Sequence, residues 1–149
     1  MTDLDKLANR LFKKIKWQEV PETVGSDDLV DLICDAIRML YVISGRTFRF
    51  SEDMFIYDTE DDKRTTPKYF DYDFELDETE WILLVGQIEF YKTCRSNVDD
   101  LTSYTTDAMA VTHGDKPYKN LSQTISELEN ERNVVWTRMV RFNQLGVAG

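Results

Sequence analysis

Residues 50–81 read FSEDMFIYDTEDDKRTTPKYFDYDFELDETEW. Within them Phe70, Tyr72, Phe74 and Leu76 alternate with Asp71, Asp73 and Glu75, and just upstream Phe48 and Phe50 flank Arg49. A period of two with aromatics describes strands that bury one face and leave the other, here acidic, in water. Residues 54–58 are a further short strand candidate, and the polar residues 59–67 read as an exposed loop. The spacing therefore predicts a β-hairpin or small antiparallel sheet over about residues 47–76. The quoted stretch also holds twelve carboxylates against Lys63, Arg64 and Lys68, so it supplies most of the net charge of −10. Charge concentrated in one element projects a field, whereas charge spread evenly mainly keeps a chain in solution.

On either side the period becomes helical. Leu4, Leu7, Ala8, Leu11, Phe12 and Ile15 predict an amphipathic helix over about 3–16, with Thr2 as its cap and Asp5 at the third helical position. Its outer face is basic, with Lys6, Arg10, Lys13, Lys14 and Lys16. Ser26 caps a second helix, 27–44, whose first turn holds Asp27 and Asp28 and whose apolar face is Leu29, Leu32, Ile33, Ala36, Ile37, Leu40 and Tyr41. Gly45 is the stop signal. After the β segment, Asp77 and Glu80 fit a capping box ahead of a third helix, 78–96. Trp81, Ile82, Leu83, Leu84, Val85, Ile88, Phe90 and Tyr91 make it apolar on too much of its circumference for a surface helix, so it should be central. Residues 97–120 are polar, with a short helical piece suggested by Val98, Leu101, Tyr104 and Ala108. Asn120 and Gln123 open a last helix, 121–143, with a spine of Ile125, Leu128, Val135, Met139 and Phe142 and an end at Gly146. Trp81 and Trp136 fall on these spines and read as core. The predicted class is mainly α: one domain of 149 residues, about four helices in a bundle, with the small sheet inserted.

Composition narrows the functions. A sequence pI near 4.6 opposes a nonspecific grip on nucleic acid, which needs clustered Lys and Arg to release counterions. Charges within the first few residues leave no apolar secretion segment, and the run 81–85 is far too short to span a membrane. A protein made in the cytoplasm, with no membrane partner, is expected. Cys34 and Cys94 sit singly in apolar helical patterns without metal or redox spacing, so both are read as buried free thiols. His113, the single histidine, lies in a turn-like segment with no nucleophile suggested beside it. Asp58, Glu60, Asp61 and Asp62 lack the glycine and closing glutamate of a calcium loop. The glycines stand alone, with no phosphate-cradling cluster. No catalytic residue, metal or cofactor is expected, and the chain does not read as an enzyme.

The acidic-headed helix at residues 27–37, the apolar helix at 81–91 and the last helix at 121–142 together resemble the head-tail connector, or adaptor, proteins of tailed bacteriophages. The resemblance covers about half of the chain and rests on helix order and periodicity. It implies a structural virion protein of the phage neck: a homo-oligomeric, usually dodecameric ring that joins the portal protein to tail or neck proteins and lets DNA pass through its lumen without specific binding. An acidic lumen would keep the duplex from sticking, and Asp58, Glu60, Asp61 and Asp62 are the candidates for it. Subunits of a ring meet through unlike faces, so the basic first helix, with Lys13 and Lys14, could meet the acidic sheet of the next copy. The family's use of its C-terminal helix and tail points to Arg138, Arg141, Val147 and Gly149 as portal or subunit contacts. A competing reading is an acidic DNA mimic or other regulatory binder, which would occupy the basic groove of a partner.

Overall fold

The computed structural model describes residues 1–15, 26–44, 51–57, 65–104 and 119–148, with side chains at 26, 95–104, 119–121 and 141–148 outside that description. The elements in chain order are strand β1 (Thr2–Asp3), helix α1 (Leu4–Lys14), helix α2 (Ser26–Ser44), a 3-10 turn (Glu52–Met54), strands β2 (Phe55–Ile56) and β3 (Tyr69–Phe70), and helices α3 (Leu76–Tyr104) and α4 (Lys119–Ala148). The molecule is mainly helical with a small antiparallel sheet, as the sequence suggests.

The sheet has the order β1-β3-β2, and its middle strand pairs Phe70 with both Thr2 and Phe55. The chain's first residues thus supply a strand that hydropathy did not signal. Three two-residue strands cannot hold together by their ladder alone. Aromatic packing anchors them: Phe55 meets Phe70 edge to face at 4.7 Å, Phe70 stacks on Phe74 at 5.5 Å, and Phe55 and Phe70 are both buried. Backbone bonds from Leu4 N to Lys68 O (2.9 Å) and from Lys68 N to Ile56 O (2.8 Å) carry the pairing beyond the strand ends.

The expected strand through Phe70, Tyr72, Phe74 and Leu76 stops at Phe70. Tyr72 N donates back to Phe70 O at 2.8 Å, which turns the chain, and Leu76 already belongs to α3 and is 88% exposed. The cause is the cap. Glu78 reaches back to the Glu75 N–H at 2.9 Å, and Thr79 N donates to Glu75 O at 2.9 Å, so the helix opens on Glu75/Glu78 and not on the predicted Asp77/Glu80. That cap is two residues earlier than expected, whereas at α1 the cap is one residue later. Asp3 accepts from Asp5 N and Lys6 N at 3.0 and 3.2 Å, while Thr2 lies in β1 and donates its hydroxyl to Tyr72 O.

α3 is the centre of the bundle. Trp81 through Val85, Ile88, Phe90, Tyr91 and Cys94 are buried, and α1, α2 and α4 all pack against it. At Gly86 the helices come close enough that an added Cβ would lie 3.0 Å from Leu11 Cδ2 and 3.8 Å from Ile33 Cδ1. α1 buries Leu4, Leu7, Ala8, Leu11 and Ile15, but Phe12, expected on that face, is 51% exposed. In α2, Leu29, Ile33, Ala36, Ile37 and Leu40 are buried as expected, whereas Tyr41 is exposed. Met39, Val42 and Ile43 are exposed with it.

α3 runs to Tyr104, absorbing the short helical piece suggested near Val98 and Leu101. α4 is also longer than expected, beginning at Lys119 and passing through Gly146. Asn120 is therefore inside the helix, and Gln123 donates to Glu127 (3.3 Å) one turn on, where a cap would have reached back. A glycine near a helix end costs only about 1 kcal/mol relative to alanine, so it need not terminate one. The later half of α4 meets the first turns of α3: Trp136 lies 6.4 Å from Trp81, with Val135 and Met139 buried between the helices. Residues 46–50, the loop candidates 58–64 and the turn with His113 lie outside the described residues.

Candidate interface

The alternation of the 50–81 stretch places carboxylates outward around the sheet. Glu52, Asp53, Asp71, Asp73 and Glu75 are exposed, while Phe55 and Phe70 point to the core. The N-terminal ammonium of Met1 pairs with Asp73, tying β1 to the segment after β3. Glu78 is the exception among these acids, at 3% exposure. Besides capping α3 it accepts from the Tyr72 hydroxyl at 3.4 Å. Burial raises its carboxyl above the ordinary range, and the Glu75 N–H and Tyr72 hydroxyl pull partly the other way. Burial and the Glu78 carboxylate push the Tyr72 phenol up to about 12, so it stays a donor.

A concavity of about 280 Å³ lies between α2 and the 3-10 turn, lined by Ile37, Arg38, Tyr41, Ser51, Glu52 and Phe55. Arg38 organises it. Its Nε and Nη2 hold Glu52 at 2.7 and 3.2 Å, its Nη1 holds Asp35 at 3.1 Å, and its guanidinium sits 4.9 Å from the centre of the Phe55 ring. The bidentate bond to Glu52 raises the Arg38 pKa and lowers that of Glu52, each charge favouring the other. Sequence reasoning missed this cluster. Its one local signal was an Asp35–Arg38 spacing of three on a helix, and its other partners come from fourteen and seventeen residues further along.

Four members of the basic strip of α1 lie as expected, and Lys16 falls outside the described residues. Lys6, Arg10, Lys13 and Lys14 are exposed and form no side-chain ion pair among the described residues. Gln87 fastens the end of the helix by donating to Lys14 O at 3.0 Å. Arg138, by contrast, already has partners within the chain, Glu80 at 2.9 Å and Asp77 at 3.3 Å. Arg141 and Val147 fall on α4, with their side chains outside the description, and Asp58, Glu60, Asp61, Asp62 and Gly149 lie outside the described residues altogether.

Cys34 and Cys94 are buried and free. Burial pushes the Cys34 thiol up to about 12 and raises that of Cys94, so both are protonated and poor nucleophiles near neutrality. Among the described residues no group of three or more His, Cys, Asp or Glu side chains could hold a metal, and no helix is long and apolar enough to cross a membrane. No protein-family model, no curated protein and no solved structure matches the chain.

Proposed function

We propose that this chain is a structural virion protein that assembles as a ring in the neck of a tailed bacteriophage, joining portal to tail and letting DNA pass. The supporting observation is the presence of unlike faces on one small molecule: exposed carboxylates around the sheet, and, on the outer face of α1, cations with no ion pair among the described residues. A chain with two complementary faces in different places associates head to tail, and such contacts close into rings when the rotation permits. In this reading the acidic side lines the lumen or meets the neighbour's α1, and Asp58, Glu60, Asp61 and Asp62 are proposed for the same role from the sequence. Like charge then keeps a moving duplex off the wall. The end of α4, with Arg141 and Val147, reaches the portal, with Gly149 proposed beside them from the sequence, whereas Arg138 serves to fix α4 against α3.

The test is mass in solution, alone and with a purified portal ring, by light scattering after gel filtration. A ring, or a monomer that becomes one on the portal, supports the reading. A tight one-to-one complex with a basic DNA-binding enzyme, and no assembly with the portal, would replace it with the acidic mimic.

A further inference from the structure

We infer that the exposed face of α1 lies antiparallel along the exposed face of α2 in a second copy of this chain. The inference deepens the ring reading and rests on self-assembly: the neighbour's α2 becomes the acidic face that α1 meets, and the carboxylates around the sheet are left for the lumen.

Helix geometry sets both faces. On α1, Lys6, Arg10 and Lys13 are exposed and, at 100° per residue, fall within about 60° of arc, opposite the buried Leu4, Leu7, Ala8 and Leu11. On α2, Asp28, Asp31 and Asp35 are exposed and fall within an arc of about the same width. Along the chain the cations are spaced by four and then three residues, and the carboxylates by three and then four. Reversing one helix makes the two series coincide. Lys13 then stands level with Asp28, Arg10 with Asp31 and Lys6 with Asp35, over about 10 Å of helix. The antiparallel arrangement also sets the negative C-terminal end of the α1 dipole beside the positive N-terminal end of α2.

The α1 charges are open to a second copy, since no ion pair among the described residues engages Lys6, Arg10 or Lys13. The acidic excess of α2 survives its pairing within the chain. Arg38 holds Asp35 at 3.1 Å, but it also holds Glu52 at 2.7 Å, so one guanidinium serves two carboxylates. At Asp31 burial and the charges of Asp35, Asp28 and Asp27 all raise the carboxyl, and the Arg38 guanidinium offsets less than any one of them. A row of cations at matching spacing relieves that field. Exposed ion pairs are individually weak, so the row sets which faces meet, and in what register, more than how tightly. Its Lys13 end is the stronger, because Asp35 at the other end is shared with Arg38. The two faces lie on different elements of one chain, so the contact is heterologous and repeats from copy to copy.

The test uses the whole chain at 0.15 M salt. A variant with Arg10→Glu and Lys13→Glu, and another with Asp28→Lys and Asp31→Lys, should each self-associate about tenfold or more weakly than the parent by sedimentation. An equal mixture should recover the parent's association, since the reversed α1 of one then meets the reversed α2 of the other. Glu127→Lys with Glu131→Lys, an equal charge change at exposed positions of α4, should not weaken it. Under mild oxidation, Lys13→Cys mixed with Asp28→Cys should give a covalent heterodimer, and Lys13→Cys mixed with Asp35→Cys should not. If the reversed variants associate like the parent, if the mixture recovers nothing, or if Asp35→Cys cross-links in place of Asp28→Cys, this contact is wrong while the ring stands. If the mixture recovers but the parent's mass stops at a dimer, even on the portal, the contact holds and the ring reading fails. If the parent assembles neither alone nor on the portal, both fail.

Discussion

At the scale of single residues, Glu78 carries the most chemistry. It is a buried carboxylate that holds the Glu75 N–H and the Tyr72 hydroxyl at once. Its carboxyl is raised in the folded state chiefly by burial. The sign follows: with a folded pKa above the unfolded one, its contribution to stability is full below the ordinary glutamate range. That contribution is lost as pH rises through the folded value. Glu78→Gln keeps an oxygen for the cap and removes the charge. It should therefore be at least as stable as the parent at pH 7, and the two should converge towards pH 4, by urea midpoints at both pH values. Glu78→Ala removes the cap as well and should cost about 1 kcal/mol at either pH. The salt bridge from Arg138 to Glu80 is a weaker contributor, since both side chains are half in water. A double-mutant cycle on it should return about 0.5 kcal/mol, falling with salt.

At the scale of elements, the crossing of α1, α2 and α3 at Gly86 sets the bundle's spacing. A Val there would drive its branches into Leu11 and Ile33, so Gly86→Val should destabilise by about 1–3 kcal/mol in chemical denaturation, and Leu11→Ala in the same chain should recover part of the loss. The long apolar runs of α2 and α3 were legible in the sequence because burial on one or several helix faces leaves a periodic signature over many residues. Their start points were not. Glu75/Glu78 and Asp77/Glu80 both fit a capping box, and the choice between them depends on tertiary partners: Tyr72 beside Glu78, and Arg138 across from Asp77 and Glu80. β1 was invisible for a related reason. Two residues show no period, and Thr2 is a strand residue only because Phe70 lies opposite it. The candidate interface was half legible. The basic strip of α1 follows from 3.6-residue spacing alone, whereas the concavity beside α2 exists only once Arg38, Glu52 and Phe55 are brought together from separate elements.

At the scale of the whole molecule, the net charge of −10 and the proposed contact pull in opposite directions. Two copies repel each other through the solvent between them, and the range of that repulsion is the Debye length, about 30 Å at 0.01 M salt and about 8 Å at 0.15 M. The α1 ammoniums against a neighbour's exposed carboxylates, as the ring reading has them, act at contact distance and are screened appreciably only when the Debye length shrinks to about 3 Å, near 1 M. Self-association should therefore strengthen from low to physiological ionic strength and weaken again towards 1 M, a maximum that sedimentation across a salt series would reveal. Lys13→Glu with Lys14→Glu turns the contact from attraction to repulsion, so in that variant association should be weaker throughout and should rise with salt without a later fall. An association that declines monotonically from the lowest salt would mean that charge attraction dominates at every distance. It would then draw on more of α1 than its last turn, with Lys6 and Arg10 as the next side chains to reverse.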